Sequence, residues 1–281
     1  MHDLADVRVF VYRRFAERGE PPRPDEVAAE FGMEPAAALD VLRALHDAHL
    51  LVLDDDRSQI VMAHPWSAVP LGFVVAGDRV KWWGGCAWDS FAIPALVGEE
   101  CMVATHCPGC GKALALDVCP DEPPTIDLVA HFLVPIPRMW DDVMYACGHQ
   151  SLFCSEEHVG RWLRQTRNPR GVILDMRTLW LLATRWYAGR LTREYRRRTP
   201  DEARALFQEL GLVGPFWGNE RPPAAPAMTR PELRTLSRTE PALLARSDPT
   251  LMSPAAHPRQ EGQGDHPPHD RPSACPAPDQ R

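Results

Sequence analysis

Cys86 and Asp89 form a pair of side chains that could carry out thiol and proton chemistry. They follow the glycine pair Gly84-Gly85, and a helix that begins there would bring positions three apart onto one face. The positive end of that helix would favour a thiolate at Cys86. A carboxyl group beside a thiolate or a soft metal is a suitable proton donor, because the nearby negative charge raises its pKa. On spacing alone, a buried cysteine beside a helix-capping aspartate is the commoner explanation.

Cysteine is concentrated in the middle of the chain, where seven of the eight cysteines fall between positions 86 and 154. In a reducing compartment we expect thiols that bind metal or act in catalysis, not disulfides. The segment Cys107-Pro108-Gly109-Cys110-Gly111 resembles a zinc-knuckle turn, in which glycine lets the backbone expose both sulfurs. One alternative is therefore a zinc site formed by Cys107, Cys110, Cys147 and Cys154, or with His149 in place of one cysteine.

Several of these residues also have simpler explanations. Cys110 and Cys154 could be thiols that line the core. Cys101 and Cys119 lie in or beside predicted strands, where packing is the expected role. His158 follows a predicted helix cap, and we expect a solvated or hydrogen-bonded side chain there rather than a metal ligand.

A longer pattern around Cys86 resembles the signature of the alkylmercury lyases, also called organomercurial lyases. It consists of Cys86-Ala87-Trp88-Asp89 followed by Phe91, Pro94, Ala95, Leu96 and Gly98. Downstream similarity is carried by His106-Cys107 with Gly109 or Gly111, and by Cys147-Gly148-His149 with Phe153. The resemblance covers roughly residues 60 to 190, including the run His64-Pro65-Trp66-Ser67-Ala68-Val69-Pro70.

The resemblance implies protonolysis of a carbon–mercury bond. Mercury(II) prefers thiolate ligands, so by position Cys86 and Cys147 would bind the mercury of R–Hg⁺. Asp89 would deliver the proton, which releases R–H and leaves Hg²⁺ on the two sulfurs. Trp88 and Phe91 would help to shield the bond from water. No cofactor would be required, and an external thiol or a downstream mercuric reductase would remove the ion.

The alternative function is that of a noncatalytic protein of the same superfamily. It would bind or sense zinc or a heavy metal through its cysteines, and its N-terminal winged helix could contact DNA. The joint presence of Cys86, Asp89 and Cys147 favours the enzyme.

The elements around these residues predict an α+β fold in three parts. Residues 1–75 read as a winged-helix-like domain, 76–220 as a catalytic domain with a mixed β-sheet and flanking helices, and 221–281 as a Pro-rich disordered tail without aromatic residues. Strands are predicted over Phe73–Val75, Met102–Thr105, Ala113–Val118 and Leu128–Val134. Helices are predicted to begin at the caps Ser155, Asp175 and Thr199.

The partners expected of this chain follow from its charge. The formal net charge of the 281 residues is −7, and the predicted recognition helix Glu34–His49 carries three acidic residues against one arginine. Nucleic acid is therefore not an expected partner. No apolar run reaches the roughly 18 residues of a membrane helix, and the acidic start is unlike a secretory signal. We therefore expect no membrane partner and a cytoplasmic location.

Overall fold

The computed structural model describes residues 3–219 of the chain. The tail predicted for residues 221–281 lies outside this range. The described residues contain both helices and sheets, so the expected α+β class is confirmed. The predicted mixed β-sheet is wrong, because every strand pair among the described residues is antiparallel.

Three helices begin the described part of the chain: α1 (Leu4–Arg18), α2 (Pro24–Phe31) and α3 (Pro35–Asp47). The side chain of Asp3 caps α1, and Gly19 ends this helix in the left-handed conformation that glycine adopts without strain. An antiparallel pair of strands follows, β1 (Val52–Leu53) and β2 (Ile60–Ala63). This order of elements is the predicted one, and the winged-helix arrangement itself stays a prediction.

A seven-stranded antiparallel sheet contains β1 and β2 together with five later strands, in the order β1-β2-β3-β5-β4-β6-β7. The later strands are β3 (Trp66–Ser67), β4 (Phe73–Ala76), β5 (Lys81–Gly84), β6 (Cys101–His106) and β7 (Ala113–Val118). Along β7 buried and exposed residues alternate, as expected for a strand with one face on the core. The sheet thus runs without interruption across the predicted domain boundary at residue 75.

A second, three-stranded antiparallel sheet has the order β10-β8-β9. Its strands are β8 (Val129–Phe132), β9 (Gln150–Phe153) and β10 (Val172–Asp175). The remaining helices are α4 (Ala87–Ser90), α5 (Ile93–Val97), α6 (Val143–Gly148), α7 (Glu156–Thr166), α8 (Met176–Tyr187) and α9 (Pro200–Glu209). Ser155, Asp175 and Thr199 cap α7, α8 and α9 through their side chains, as predicted.

The short helix α4 lies at the centre of the packing. It contacts α8, both central strands β4 and β5, and β9 of the second sheet. All four of its residues are buried, and the ring of Trp88 stacks on Phe132 with centroids 6.0 Å apart. The fold therefore encloses the Cys86–Asp89 segment between the two sheets.

Among residues 3–219, no helix combines the length and apolarity needed to cross a membrane. Six cysteines of this part of the chain are free thiols: Cys86, Cys101, Cys107, Cys110, Cys147 and Cys154. Cys119 differs from the expectation of thiols throughout, because it is disulfide-bonded.

Candidate active site

The glycine pair before α4 allows Cys86 and Asp89 to sit close to the backbone of the sheet. Cys86 is the N-cap of α4, and its sulfur accepts a hydrogen bond from the backbone N–H of Asp89 at 3.4 Å. A Cβ added at Gly85 would overlap Oδ2 of Asp89, and one added at Gly84 would overlap the hydroxyl of Ser90. Glycine is therefore required at both positions because the side chains of α4 pack directly on them.

Cys147 reaches the same place from α6, a helix capped by the side chain of Asp142. Its sulfur lies 3.8 Å from Oδ2 of Asp89, and the sulfur of Cys86 lies 3.2 Å from that same oxygen. A side-chain hydrogen bond also links the two cysteines. Cys86, Asp89 and Cys147 are each about 1% exposed. The structure thus brings the three residues together, and their catalytic roles stay a prediction.

Three further side chains complete this group, and the sequence did not single them out. Nε2 of His64 lies 3.5 Å from the sulfur of Cys147, and Oε1 of Gln150 lies 3.0 Å from the sulfur of Cys86. The hydroxyl of Tyr187 donates a short hydrogen bond to Oδ1 of Asp89. We call these six residues the buried cluster: His64, Cys86, Asp89, Cys147, Gln150 and Tyr187.

Arg190 fixes the backbone beside the buried cluster. Its guanidinium donates hydrogen bonds of 3.0 Å to the carbonyl of His64 and to the hydroxyl of Tyr12. The guanidinium also lies over the ring of Tyr187, 4.7 Å from its centroid. A buried cation held in this way keeps both His64 and Tyr187 in position around Asp89.

The pKa values of the two buried thiols are shifted in opposite directions. Burial, the hydrogen bond with Cys147 and the charge of Asp89 raise the pKa of Cys86 well above its usual value. The hydrogen bond from Cys86, helped by His64, lowers the pKa of Cys147 despite its burial. Burial alone would lower the pKa of His64, but Asp89 and the hydrogen bond with Cys147 raise it overall. Cys147 is therefore the more acidic of the two thiols, which differs from the expectation that the start of α4 favours a thiolate at Cys86.

A second group of soft ligands lies apart from the buried cluster. Cys107, Cys110, Cys154 and His158 place one ligand atom each within 4.8 Å of all the others. We call these four residues the surface cluster, since Cys110 is exposed and Cys154 and His158 are half-buried.

The predicted zinc set of Cys107, Cys110, Cys147 and Cys154 needs a correction. Cys147 groups with His64 and Asp89 instead, and His158 stands in its place. The reason is that six residues lie between Cys147 and Cys154, and the four of them that form β9 alone span about 13 Å of extended chain. His149, the suggested substitute, directs its Nδ1 to the carbonyl of Tyr145 at 2.8 Å. The expectation of a solvated or hydrogen-bonded His158 agrees with the contact between its Nδ1 and the sulfur of Cys107 at 3.7 Å.

Known proteins resemble this chain in sequence and in fold. The family model described as MerB, alkylmercury lyase, matches residues 66–188. An alkylmercury lyase of Staphylococcus epidermidis is 29% identical over 162 residues, which cover 56% of this chain and 71% of that relative. The solved structure of a mercury-bound form of MerB2 aligns with a TM-score of 0.51 at 15% identity, covering 67% of this chain and 98% of that one.

The matched segment contains Cys86, Asp89 and Cys147 and ends just beyond Tyr187. Two thiols around a buried carboxyl group offer soft ligands of the kind that thiol-seeking metals prefer. Within residues 66–188 this chain is similar to the alkylmercury lyase family.

Proposed function

We propose that this protein cleaves the carbon–mercury bond of R–Hg⁺ by protonolysis in the buried cluster, giving R–H and Hg²⁺. One observation carries the assignment of roles. A single carboxylate oxygen, Oδ2 of Asp89, contacts the sulfurs of both Cys86 and Cys147. Two thiols suit a two-coordinate soft metal, and the oxygen between them can move a proton to the atom that the metal carries.

Cys147 binds the substrate first. Its lowered pKa makes it the thiolate of the pair, and its neighbour His64 stabilises that negative charge. The sulfur of Cys147 therefore attacks R–Hg⁺ and forms a neutral Cys147–S–Hg–R adduct. Nothing else in the buried cluster has to change charge in this step.

Cys86 then becomes the second mercury ligand. Its thiol proton passes to Oδ2 of Asp89, 3.2 Å away, as its sulfur bonds to the metal. Two thiolates on mercury increase the electron density on the bound carbon. The protonated Asp89 gives its proton to that carbon, the carbon–mercury bond breaks, and R–H leaves. Mercury(II) remains on both sulfurs and Asp89 returns to the carboxylate, so atoms and charges balance.

Tyr187 selects the oxygen that transfers the proton. Its hydroxyl donates a hydrogen bond to Oδ1 of Asp89, so Oδ2 remains available to the two thiols. The carboxyl group is thereby held in one orientation, and proton transfer depends strongly on such alignment. Trp88 within α4 and Phe91 at its end are buried, and we propose that they keep bulk water away from the reacting carbon.

Product release needs an acceptor from solution. An external thiol exchanges with the Cys86 and Cys147 thiolates for Hg²⁺, and a mercuric reductase is a suitable final acceptor. We propose the cytoplasm as the location, because both cysteines must stay reduced for the reaction.

The N-terminal helices support the site rather than bind DNA. We propose that they form a winged-helix-like module whose strand pair β1–β2 extends the seven-stranded sheet. His64 follows β2 directly and enters the buried cluster. In α3 the residues Ala38, Leu42 and Leu45 are buried, and the arginine Arg43 is paired with Asp40. A DNA-reading helix would need free cations, so the sensing alternative is not favoured.

Hydrocarbon release tests this function. Purified protein is incubated with an organomercurial and excess thiol, and R–H and inorganic Hg²⁺ are quantified together. We expect them in equal amounts over many turnovers, with one solvent deuterium in R–H when the reaction is run in D₂O. Turnover without hydrocarbon, or hydrocarbon without deuterium, would contradict protonolysis.

A further inference from the structure

We propose that the surface cluster of Cys107, Cys110, Cys154 and His158 is a structural zinc site that ties the two sheets together. The inference rests on the geometry of these four side chains and is independent of the proposed mechanism. It differs from the zinc set predicted from the sequence, because it leaves Cys147 free.

The spacing of the ligand atoms fits one tetrahedral ion. The sulfurs of Cys110 and Cys154 are 3.8 Å apart, and the sulfur of Cys107 lies 3.7 Å from Nδ1 of His158. Zinc bonded to sulfur at about 2.3 Å requires ligand atoms about 3.8 Å apart along the edges of its tetrahedron. A disulfide would need a sulfur separation of about 2.0 Å. The two cysteines are thus placed as co-ligands.

The donor set points to zinc and to a closed site. Three thiols and one imidazole fill all four positions of a tetrahedral centre, which is the composition of structural zinc sites. The set contains no carboxylate, in contrast to the oxygen-rich sites of calcium and magnesium. With no position left for water, such a centre would stabilise the fold and take no part in chemistry.

The backbone around Cys107 has the form needed to present two sulfurs to one ion. The N–H groups of Cys110 and Gly111 both donate to the carbonyl of Cys107, at 3.3 and 2.8 Å, which closes a tight turn. Gly111 has a positive φ of 74°, a conformation that favours glycine. A Cβ added at Gly109 would overlap the backbone carbonyl of His158. The turn is therefore seated directly on the first turn of α7.

The proposed zinc site would link the two sheets close to the elements that carry the buried cluster. Cys107 follows β6 of the seven-stranded sheet, whereas Cys154 follows β9 of the three-stranded sheet. Strand β9 begins with Gln150, which contacts Cys86, and α6 immediately before it carries Cys147. An ion between these elements would fix the distance between the parts of the chain that supply the two buried thiols.

Elemental analysis with matched cysteine variants tests the proposal. The full chain is purified without chelator and without mercury, and zinc per chain is measured. We expect about one zinc in the wild type, in Cys101→Ser and in Cys147→Ser, and a loss of at least tenfold in zinc affinity in Cys110→Ser and Cys154→Ser. Zinc that is lost in Cys147→Ser but kept in Cys110→Ser would overturn the assignment.

A titration of the wild type keeps the test valid if a variant fails to fold. Metal-stripped protein is titrated with Co²⁺, whose tetrahedral thiolate complexes absorb strongly in the visible range, and then with Zn²⁺ as competitor. We expect one equivalent of Co²⁺, displaced by Zn²⁺, and a melting temperature that rises with zinc. A wild type that is metal-free as purified and takes up neither ion would refute the site.

Discussion

The buried cluster and the surface cluster contain the same reactive groups, cysteine and histidine, in opposite surroundings. Cys86 and Cys147 are enclosed with Asp89 and the hydroxyl of Tyr187. The surface cluster, in contrast, has three thiols and an imidazole, includes no carboxylate, and is partly open to solvent. The difference teaches that cysteine alone does not determine the chemistry. A proton carrier between two thiols suits bond cleavage, whereas a full set of four soft ligands suits a static ion.

The largest effect expected of this contrast is on turnover. Cys86→Ser and Cys147→Ser each remove one of the two thiolates that mercury needs, so hydrocarbon release should fall to the uncatalysed background. Cys101→Ser is the matched control, because it removes a buried thiol that belongs to neither cluster. Hydrocarbon release is measured for all three variants under excess thiol. Full turnover in both Cys86→Ser and Cys147→Ser would show that the roles of the clusters are misassigned.

Loss of the Tyr187 hydroxyl should have a smaller but clear effect. Tyr187→Phe leaves Oδ1 of Asp89 without its donor, so the carboxyl group is no longer held at one rotation. A hydrogen bond to a charged group contributes about 1.5–3 kcal/mol, which corresponds to a fall in kcat of roughly 10- to 100-fold. Steady-state kinetics should show the loss in kcat more than in KM. An unchanged kcat would remove Tyr187 from the account.

The pH dependence of kcat/KM should shift to higher pH in the His64→Gln variant. Because only the thiolate of Cys147 attacks, kcat/KM rises with pH through the lowered pKa of this residue. His64→Gln removes a neighbour that helps to lower that pKa, so the rising limb should move to higher pH. The profile of kcat/KM against pH is compared with that of Cys101→Ser, which should match the wild type. A shift of the limb to lower pH would contradict the proposed order of thiols.

The smallest effect is expected at Cys101, a buried thiol that belongs to neither cluster. Burial, together with Glu99, raises its pKa to about 12, so it remains a protonated thiol at neutral pH. Cys101→Ser should leave both hydrocarbon release and zinc content within about twofold of the wild type. A marked change in either quantity would mean that the two clusters are not the separate units described here.

Local signals in the sequence predicted much of the fold. Strands β4, β6 and β7 lie where short runs of apolar and β-branched residues predicted strands. The side chains of Ser155 and Asp175 cap the predicted helices. These features depend on neighbouring residues only. The pairing of β8 with β10 joins His131 to Ile173 and so depends on contacts between distant residues, which no local pattern encodes.

The candidate site was only partly predictable for the same reason. Cys86 and Asp89 are three residues apart, and Cys147 was found through the family resemblance. His64 and Tyr187 meet this group across 83 and 98 residues of sequence. His64 lies in a run that carries the family resemblance, but nothing in that run assigned it to the site, and Tyr187 lies in no distinctive local motif. The knuckle of Cys107 and Cys110 was recognised from its glycines. Its partner His158 was missed, because the sequence does not show which side of β9 faces that turn.

A single-turnover experiment with Asp89→Asn tests the central claim most directly. An equimolar organomercurial is mixed with the variant, and bound mercury and released hydrocarbon are measured in the same sample. Asparagine keeps the shape of the side chain but cannot carry the proton. We therefore predict one bound R–Hg per chain, and hydrocarbon formation slower than in the wild type by about 10²- to 10⁴-fold. Hydrocarbon release at the wild-type rate would contradict the role of Asp89 as the proton carrier between the two thiols.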